Sequence, residues 1–180
     1  MSIACVTAIG PGATDRLLSE VAARLAGDGL RVLGALRATD AGSATSCCDS
    51  DLWILPDGPL ARITQDLGPG SAACRMDAGA MQQAVGLAST RLASGGADLV
   101  ILNKFGLSEA EGRGFRSLIG EAISLGIPVL TGLSDTHRAA FHQFAEGLAD
   151  VLQPEVEAII GWYRRTSTGA TSTQEGATVA

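Results

Sequence analysis

Lysine is all but missing from this chain. Of its 13 basic residues every one but Lys104 is arginine, so a compact, strongly hydrated ammonium stands at a single place in the sequence. Positive charge as a whole is outweighed by 19 Asp and Glu, for a formal net charge of −6. That balance excludes general nucleic-acid binding, which depends on clustered cations neutralising phosphates, and leaves room for a local anion site. Apolar runs stay short, as at Leu99 to Leu102, far from the roughly 20 residues of a membrane span, so no membrane insertion is expected. The opening Met1-Ser2-Ile3-Ala4-Cys5-Val6 has no basic region ahead of its apolar residues, which argues against a secretory signal. The four cysteines, Cys5, Cys47, Cys48 and Cys74, match neither a zinc ribbon nor a redox CxxC, and a reduced cytoplasmic chain is the natural reading. The only histidines, His137 and His142, are five apart and so lack the i, i+4 spacing of a helical metal pair. No metal site is expected, and no Ser-His-Asp arrangement designates a catalytic residue.

What is there is enough to fold. Hydrophobic residues make up 46% and charged residues 18% of 180 residues, which suits one domain with a sizeable core. Residues 2–9 read as a buried strand, followed by a Gly-Pro-Gly turn. Leu17, Leu18, Val21, Ala22 and Leu25 then recur at helical spacing, ended by Gly27 and Gly29. Leu30 to Leu36 reads as a second strand, completing a right-handed βαβ unit. Residues 38–50 are small and polar and read as an exposed loop. Leu52 to Leu55 and Leu60 to Ile63, around Pro56-Asp57-Gly58-Pro59, form a hairpin inserted into the frame. After a second Gly-rich loop at 66–75, Asp77 can cap a helix carrying Met81, Val85, Ala88 and Leu92. Leu99 to Leu102 has the all-apolar character of a central parallel strand. Ser108 and Glu111 suggest a capping box for a helix showing Phe115, Leu118, Ile119, Ala122 and Ile123. Ile127 to Leu133 is the next strand, residues 136–148 a helix with Phe141, Phe144 and Leu148 inward, and Pro154 begins a last helix through Trp162. Residues 1–165 thus form one α/β domain, a mostly parallel sheet sandwiched by helices. Residues 166–180, poor in apolar side chains, are expected to be a flexible tail.

Ligands on such sheets bind at the carboxyl ends of the strands. Three segments meet there: Gly10–Asp15, Asn103–Gly106 and Thr131–Asp135. In the first, Gly10, Gly12, Ala13 and Thr14 can present backbone N–H groups to an anion at a helix start. A phosphate loop of the GxxxxGK[ST] type would carry a lysine; here Asp15 falls near its expected place, and a plain strand-to-helix turn is the competing reading. In the second, Asn103 stands where an acidic residue would hold magnesium, and Lys104 suits a phosphate-like oxyanion. A further loop carries Gln65, Cys74 and Arg75, the arginine offering a planar fork to an oxyanion or pairing with Asp66 or Asp77.

The stretch Asp98–Gly106 with Glu111, then Gly126-Ile-Pro-Val-Leu-Thr131, together with Gln65-Asp-Leu-Gly and Cys74-Arg75-Met-Asp77, resembles an uncharacterised bacterial family related to P-loop nucleoside-triphosphatases. Members occur alone or attached to molybdate-transport ATP-binding subunits. The resemblance covers roughly residues 2–160 and implies a P-loop NTPase-like fold and a link to molybdate or another oxyanion. It departs from active triphosphatases in lacking the loop lysine and in having Asn103-Lys104 in place of acidic residues. The expected function is therefore an oxyanion-binding module for molybdate, tungstate or a phosphate-bearing ligand, with ATP or GTP and magnesium as the lesser alternative. Expected partners are molybdate-transport or molybdoenzyme machinery and further copies of the chain. A slow nucleotide hydrolase and a non-binding regulatory or assembly partner are the rival readings.

Overall fold

A computed structural model of the chain describes residues 2–38, 51–65 and 75–171. In chain order the elements are β1 (Ile3–Val6), α1 (Ala13–Gly27), β2 (Val32–Arg37), β3 (Asp51–Leu55), β4 (Leu60–Arg62), β5 (Thr64–Gln65) and β6 (Arg75–Met76). There follow α2 (Ala78–Gly95), β7 (Leu99–Phe105), α3 (Leu107–Ala110), α4 (Arg116–Ser124), β8 (Val129–Leu133), a 3-10 turn at Asp135–His137, α5 (Arg138–Phe144), β9 (Asp150–Leu152) and α6 (Val156–Thr171). Seven strands make one sheet in the order β4-β3-β2-β7-β8-β1-β9, and β5 and β6 pair as a separate ribbon. From β2 to β9 all neighbours are parallel. The hairpin β3–β4 adds two antiparallel strands to the β2 edge, so it extends the sheet rather than standing apart from it.

The strand sequences explain why helices cover both faces. Side chains alternate along a strand, and here both sets are apolar. Ile3 and Cys5, Val100 and Leu102, and Val129 pack on the side of α2, α4 and α5. Ala4 and Val6, Leu99 and Ile101, and Leu130 pack on the side of α1 and α6. Each fully buried Leu or Ile contributes about 1.5–3 kcal/mol relative to exposure, so neither layer is dispensable. Glycine allows β2 and β7 to meet closely: Gly34 has φ +128°, and a Cβ there would lie 2.0 Å from the Ile101 carbonyl oxygen. At the opposite rim from the loops, Arg31 and Asp98 tie the starts of β2 and β7. The Arg31 amide and guanidinium both donate to the Asp98 carboxylate, at 2.8 and 2.7 Å. Those hydrogen bonds hold Asp98 below the usual carboxylate range.

Several sequence readings are corrected. β1 ends at Val6, and Ile9, read as buried strand, is 100% exposed. The capping residue of α3 is Glu109, not Glu111: its carboxylate accepts from Gly106 N and Phe115 N, both at 3.0 Å. Ser108 is inside that short helix rather than at its cap, because the N-cap is the extended Gly106 and the helix starts at Leu107. Leu148 lies beyond the end of α5 and is 60% exposed. β9 has no counterpart in the sequence reading. The last helix starts at Val156, after Pro154, and continues to Thr171; residues 172–180 lie outside the described residues, as do 39–50 and 66–74. Asp77 caps α2 as expected, accepting from Ala80 N at 2.9 Å.

Candidate functional site

Three strand ends converge on one cleft of about 440 Å³. The first is β1 with the loop leading to α1. Thr7 leaves the strand and its hydroxyl donates to the Leu133 carbonyl at 2.6 Å, pinning the loop to β8. Ala8 N donates to the Thr14 hydroxyl at 2.9 Å, closing the loop over the first turn of α1. Gly10 at φ +111° and Gly12 at φ +66° permit the sharp reversal between them. The α1 N-cap is Gly12, which has no side chain to occupy the first amides. Helix geometry leaves those amides without an intrahelical acceptor and concentrates positive potential at them.

Because α1 starts at Ala13, the GxxxxGK[ST] pattern can be laid on real geometry. Gly12 takes the second glycine, Thr7 the position of the first, Ala13 that of the lysine and Thr14 that of the Ser/Thr. The residue in the lysine position is thus Ala13, and Asp15 lies two places further into the helix.

The second strand end is β7. Opposite β8 its register runs Leu102↔Thr131 and then Phe105↔Leu133, one residue more on β7 than on β8, which is a β-bulge. The bulge turns Phe105 into the core beside Phe141 and leaves Asn103 and Lys104 on the cleft. Gly132 makes room for it: a Cβ there would meet the Asn103 carbonyl oxygen at 2.3 Å and Thr14 Cγ2 at 3.0 Å. Asn103 Oδ1 is buried and accepts no hydrogen bond. The third strand end is β8, which brings Ser134 and Asp135. Ser134 Oγ lies 3.1 Å from His137 Nδ1, and Asp135 accepts from Arg138 at 2.6 Å; His137 therefore has a hydrogen-bonded role beside the cleft.

Gly10, Gly12, Thr14, Asn103 and Lys104 are brought together in this cleft, whereas Ala13 opens α1 but is not on the cleft wall. Gln65 and Arg75 face each other across the β5–β6 ribbon, and their side chains, like all of Cys74, lie outside the described residues. The ribbon is near Lys104 on a different side: Met76 of β6 shares with Lys104 and Asn103 a second cavity of about 270 Å³, next to Met81 and Phe115.

Residues 3–162 match the family described as "Protein of unknown function (DUF2478)". The chain belongs to that family. It is also 33% identical over 153 residues to the Molybdenum import ATP-binding protein ModC 2 of Bradyrhizobium diazoefficiens. That match takes in 85% of this chain and 17% of the relative, so the chain spans under a fifth of the relative's length. Two solved structures share the fold. A human cancer-related nucleoside triphosphatase superposes with a TM-score of 0.61 at 16% identity, over 99% of this chain and 100% of that one. THEP1 from the hyperthermophile Aquifex aeolicus does so with a TM-score of 0.60 at 14% identity, over 92% and 96%. At these identities the likeness is one of fold, and this DUF2478 chain has a P-loop NTPase-like architecture.

Thr7, Ala8 and Arg37 are the cleft residues that sequence reasoning missed, and Arg37 is the charged one. It closes β2, lines the cleft, and approaches Asp15 of α1 to 3.6 Å. No motif surrounds it. Its signal is positional only, as a cation on the last residue of a parallel strand.

Proposed function

We propose that this DUF2478 chain is an oxyanion-binding module, taking molybdate, tungstate or a phosphate group at the start of α1. The observation that carries the reading is the composition of the cleft. The first-turn amides of Thr14 and Asp15, the hydroxyl of Thr14, the side chain of Asn103 and the ammonium of Lys104 face one space, with Arg37, Asp15 and Asp135 also on its walls. Amides and one cation satisfy a tetrahedral dianion without a metal. Magnesium-dependent hydrolysis fits these residues poorly. Ala13 supplies no cation to a γ-phosphate, Asn103 is a neutral and weaker cation ligand than a carboxylate, and the Thr14 hydroxyl already accepts from Ala8. The relative named for molybdenum import supports molybdate as the anion to test first, and molybdate-transport or molybdoenzyme machinery as the partner.

The test is a ligand panel of molybdate, tungstate, sulfate, phosphate, ATP and GTP read by melting temperature. An anion at a hundred times its Kd should add about 2.7 kcal/mol, or about 5–10 °C for a domain of this size. Lys104→Ala should weaken binding about tenfold or more, the value of one charge-assisted hydrogen bond. Arg164→Ala, an exposed change on α6, should not. If no member of the panel shifts the melt, the reading fails. Turnover of ATP with magnesium inside the ordinary enzyme range of roughly 1–10³ per second would replace it with the hydrolase reading.

A further inference from the structure

An apolar groove of about 350 Å³ begins where the anion cleft ends, and Arg37 lines both. One wall of the groove is α1, through Ser19, Ala22, Ala23 and Ala26; the other is the hairpin, through Trp53 and Leu55. Asp15, which lines the cleft, Ser19 and Ala22 follow one another at helical intervals on the same side of α1. A single helix face thus leads from the anion position into the groove. At 1.5 Å per residue the distance from Asp15 to Ala22 is roughly 10 Å. That is too long for a lone tetrahedral anion and suits an anion joined to a ring through a short spacer.

The groove's walls differ in a way that specifies the ring. The α1 wall is built of the smallest side chains, so it leaves a slot. Facing it, Trp53 is 41% exposed although its strand is flanked by β2 and β4. Its indole is nonetheless held: Nε1 donates to the Pro56 carbonyl at 3.4 Å, and a Cβ on Gly58 would come within 2.9 Å of the ring. A fixed, half-covered indole opposite a row of alanines is a stacking surface for a flat group. Arg37, with Asp15 at 3.6 Å, stands at the junction.

We infer that the ligand of the cleft is a phosphate monoester of a flat heteroaromatic compound. Its oxyanion sits at the α1 amides and Lys104, and its ring fills the groove against Trp53. The inference rests on the anion reading of the cleft and narrows it from any small oxyanion to a ring-bearing one.

The test is calorimetric titration of the full chain with molybdate, inorganic phosphate, ribose 5-phosphate and three ring-bearing monoesters: AMP, GMP and flavin mononucleotide. At least one ring-bearing compound should bind about tenfold or more tightly than ribose 5-phosphate, within the range set by base–aromatic stacking. Trp53→Ala should erase that margin and leave the affinity for ribose 5-phosphate unchanged. Ala23→Phe, an exposed helix position whose larger side chain occupies the slot, should do the same with Trp53 still present. If inorganic anions and ribose 5-phosphate bind but no ring adds affinity, or if the margin survives both substitutions, this inference is overturned and the anion reading stands. If no inorganic anion, ribose 5-phosphate or ring-bearing monoester binds, the anion reading falls and takes the inference with it.

Discussion

Gly132→Ala is the substitution through which the packing of the cleft can be measured. A methyl group at this position would lie 2.3 Å from the Asn103 carbonyl oxygen and 3.0 Å from Thr14 Cγ2. The first neighbour is backbone inside the β-bulge, and the second belongs to the side chain that closes the α1 loop through Ala8 N. Restoring ordinary van der Waals separation requires a shift of about 1 Å in the bulge. Overpacking of this kind costs about 1–3 kcal/mol, which for a chain of 180 residues lowers the melting temperature by about 2–12 °C. The bulge places Lys104 on the cleft, so the anion binding proposed above should weaken as well. Gly120→Ala provides the opposite sign. It lies exposed on α4, and nothing stands within 4 Å of an added Cβ. There the smaller entropy of the unfolded chain should raise stability by about 0.4–1 kcal/mol, or about 1–4 °C. Thermal unfolding followed by circular dichroism reads both. A Gly132→Ala protein that melts within about 1 °C of the parent, while Gly120→Ala rises as expected, would refute the account of how β8 and the bulge fit.

Three further outcomes follow from the structure. Glu109→Gln should cost about 1–3 kcal/mol in urea unfolding, because the buried carboxylate accepts from two backbone N–H groups and the amide can oppose only one of them with an acceptor. Arg31 holds the Asp98 carboxyl below its ordinary range, so the stability it adds is present above the unfolded aspartate value and is lost as pH falls through the lower folded one. The melting gap between parent and Asp98→Asn should therefore be full at neutral pH, narrow on acidification below the usual aspartate range, and close; a gap that stays constant to the acid limit would exclude the ion pair as its source. Burial pushes the Cys5 thiol up, so mass-resolved alkylation at mildly alkaline pH should leave the Cys5 peptide unmodified in the native protein and label it in urea.

Much of the frame was legible because two patterns do not depend on tertiary context. All-apolar runs such as Leu99 to Leu102 mark strands covered on both faces, and the Leu18, Val21, Ala22, Leu25 spacing marks α1. Placing the loops at strand ends then located the cleft without coordinates: Gly10, Gly12, Thr14, Asn103 and Lys104 line it, Ala13 does not, and the side chains of Gln65, Cys74 and Arg75 lie outside the described residues. What the pattern could not carry is pairing. β9 is three residues long, and only Leu152 among them is not exposed; it is a strand because β1 offers it an edge. Arg37 reaches the cleft through the strand order, which composition does not encode. The cap of α3 was misplaced because Ser108 and Glu111 imitate the capping pattern, while the N-cap at Gly106 gives the role to Glu109, three residues on. Ala13 was hidden in the same way: the lysine position is counted from the first residue of α1, a boundary that sequence places only to within a few residues.

The extra residue in β7 also separates two demands on one strand. In a regular strand Lys104 would follow Val100 and Leu102 onto the α2 side, sinking an ammonium into the core. The bulge gives that place to Phe105 instead. Deleting Asn103 would bring the phenylalanine to the same core position in an unbroken ladder, with the lysine moved to the α1 side. Such a chain should keep the fold while losing the Asn103 side chain and moving the ammonium to the opposite face of the strand. The irregularity in β7 therefore shapes the cleft, while the core alone would accept a simpler strand.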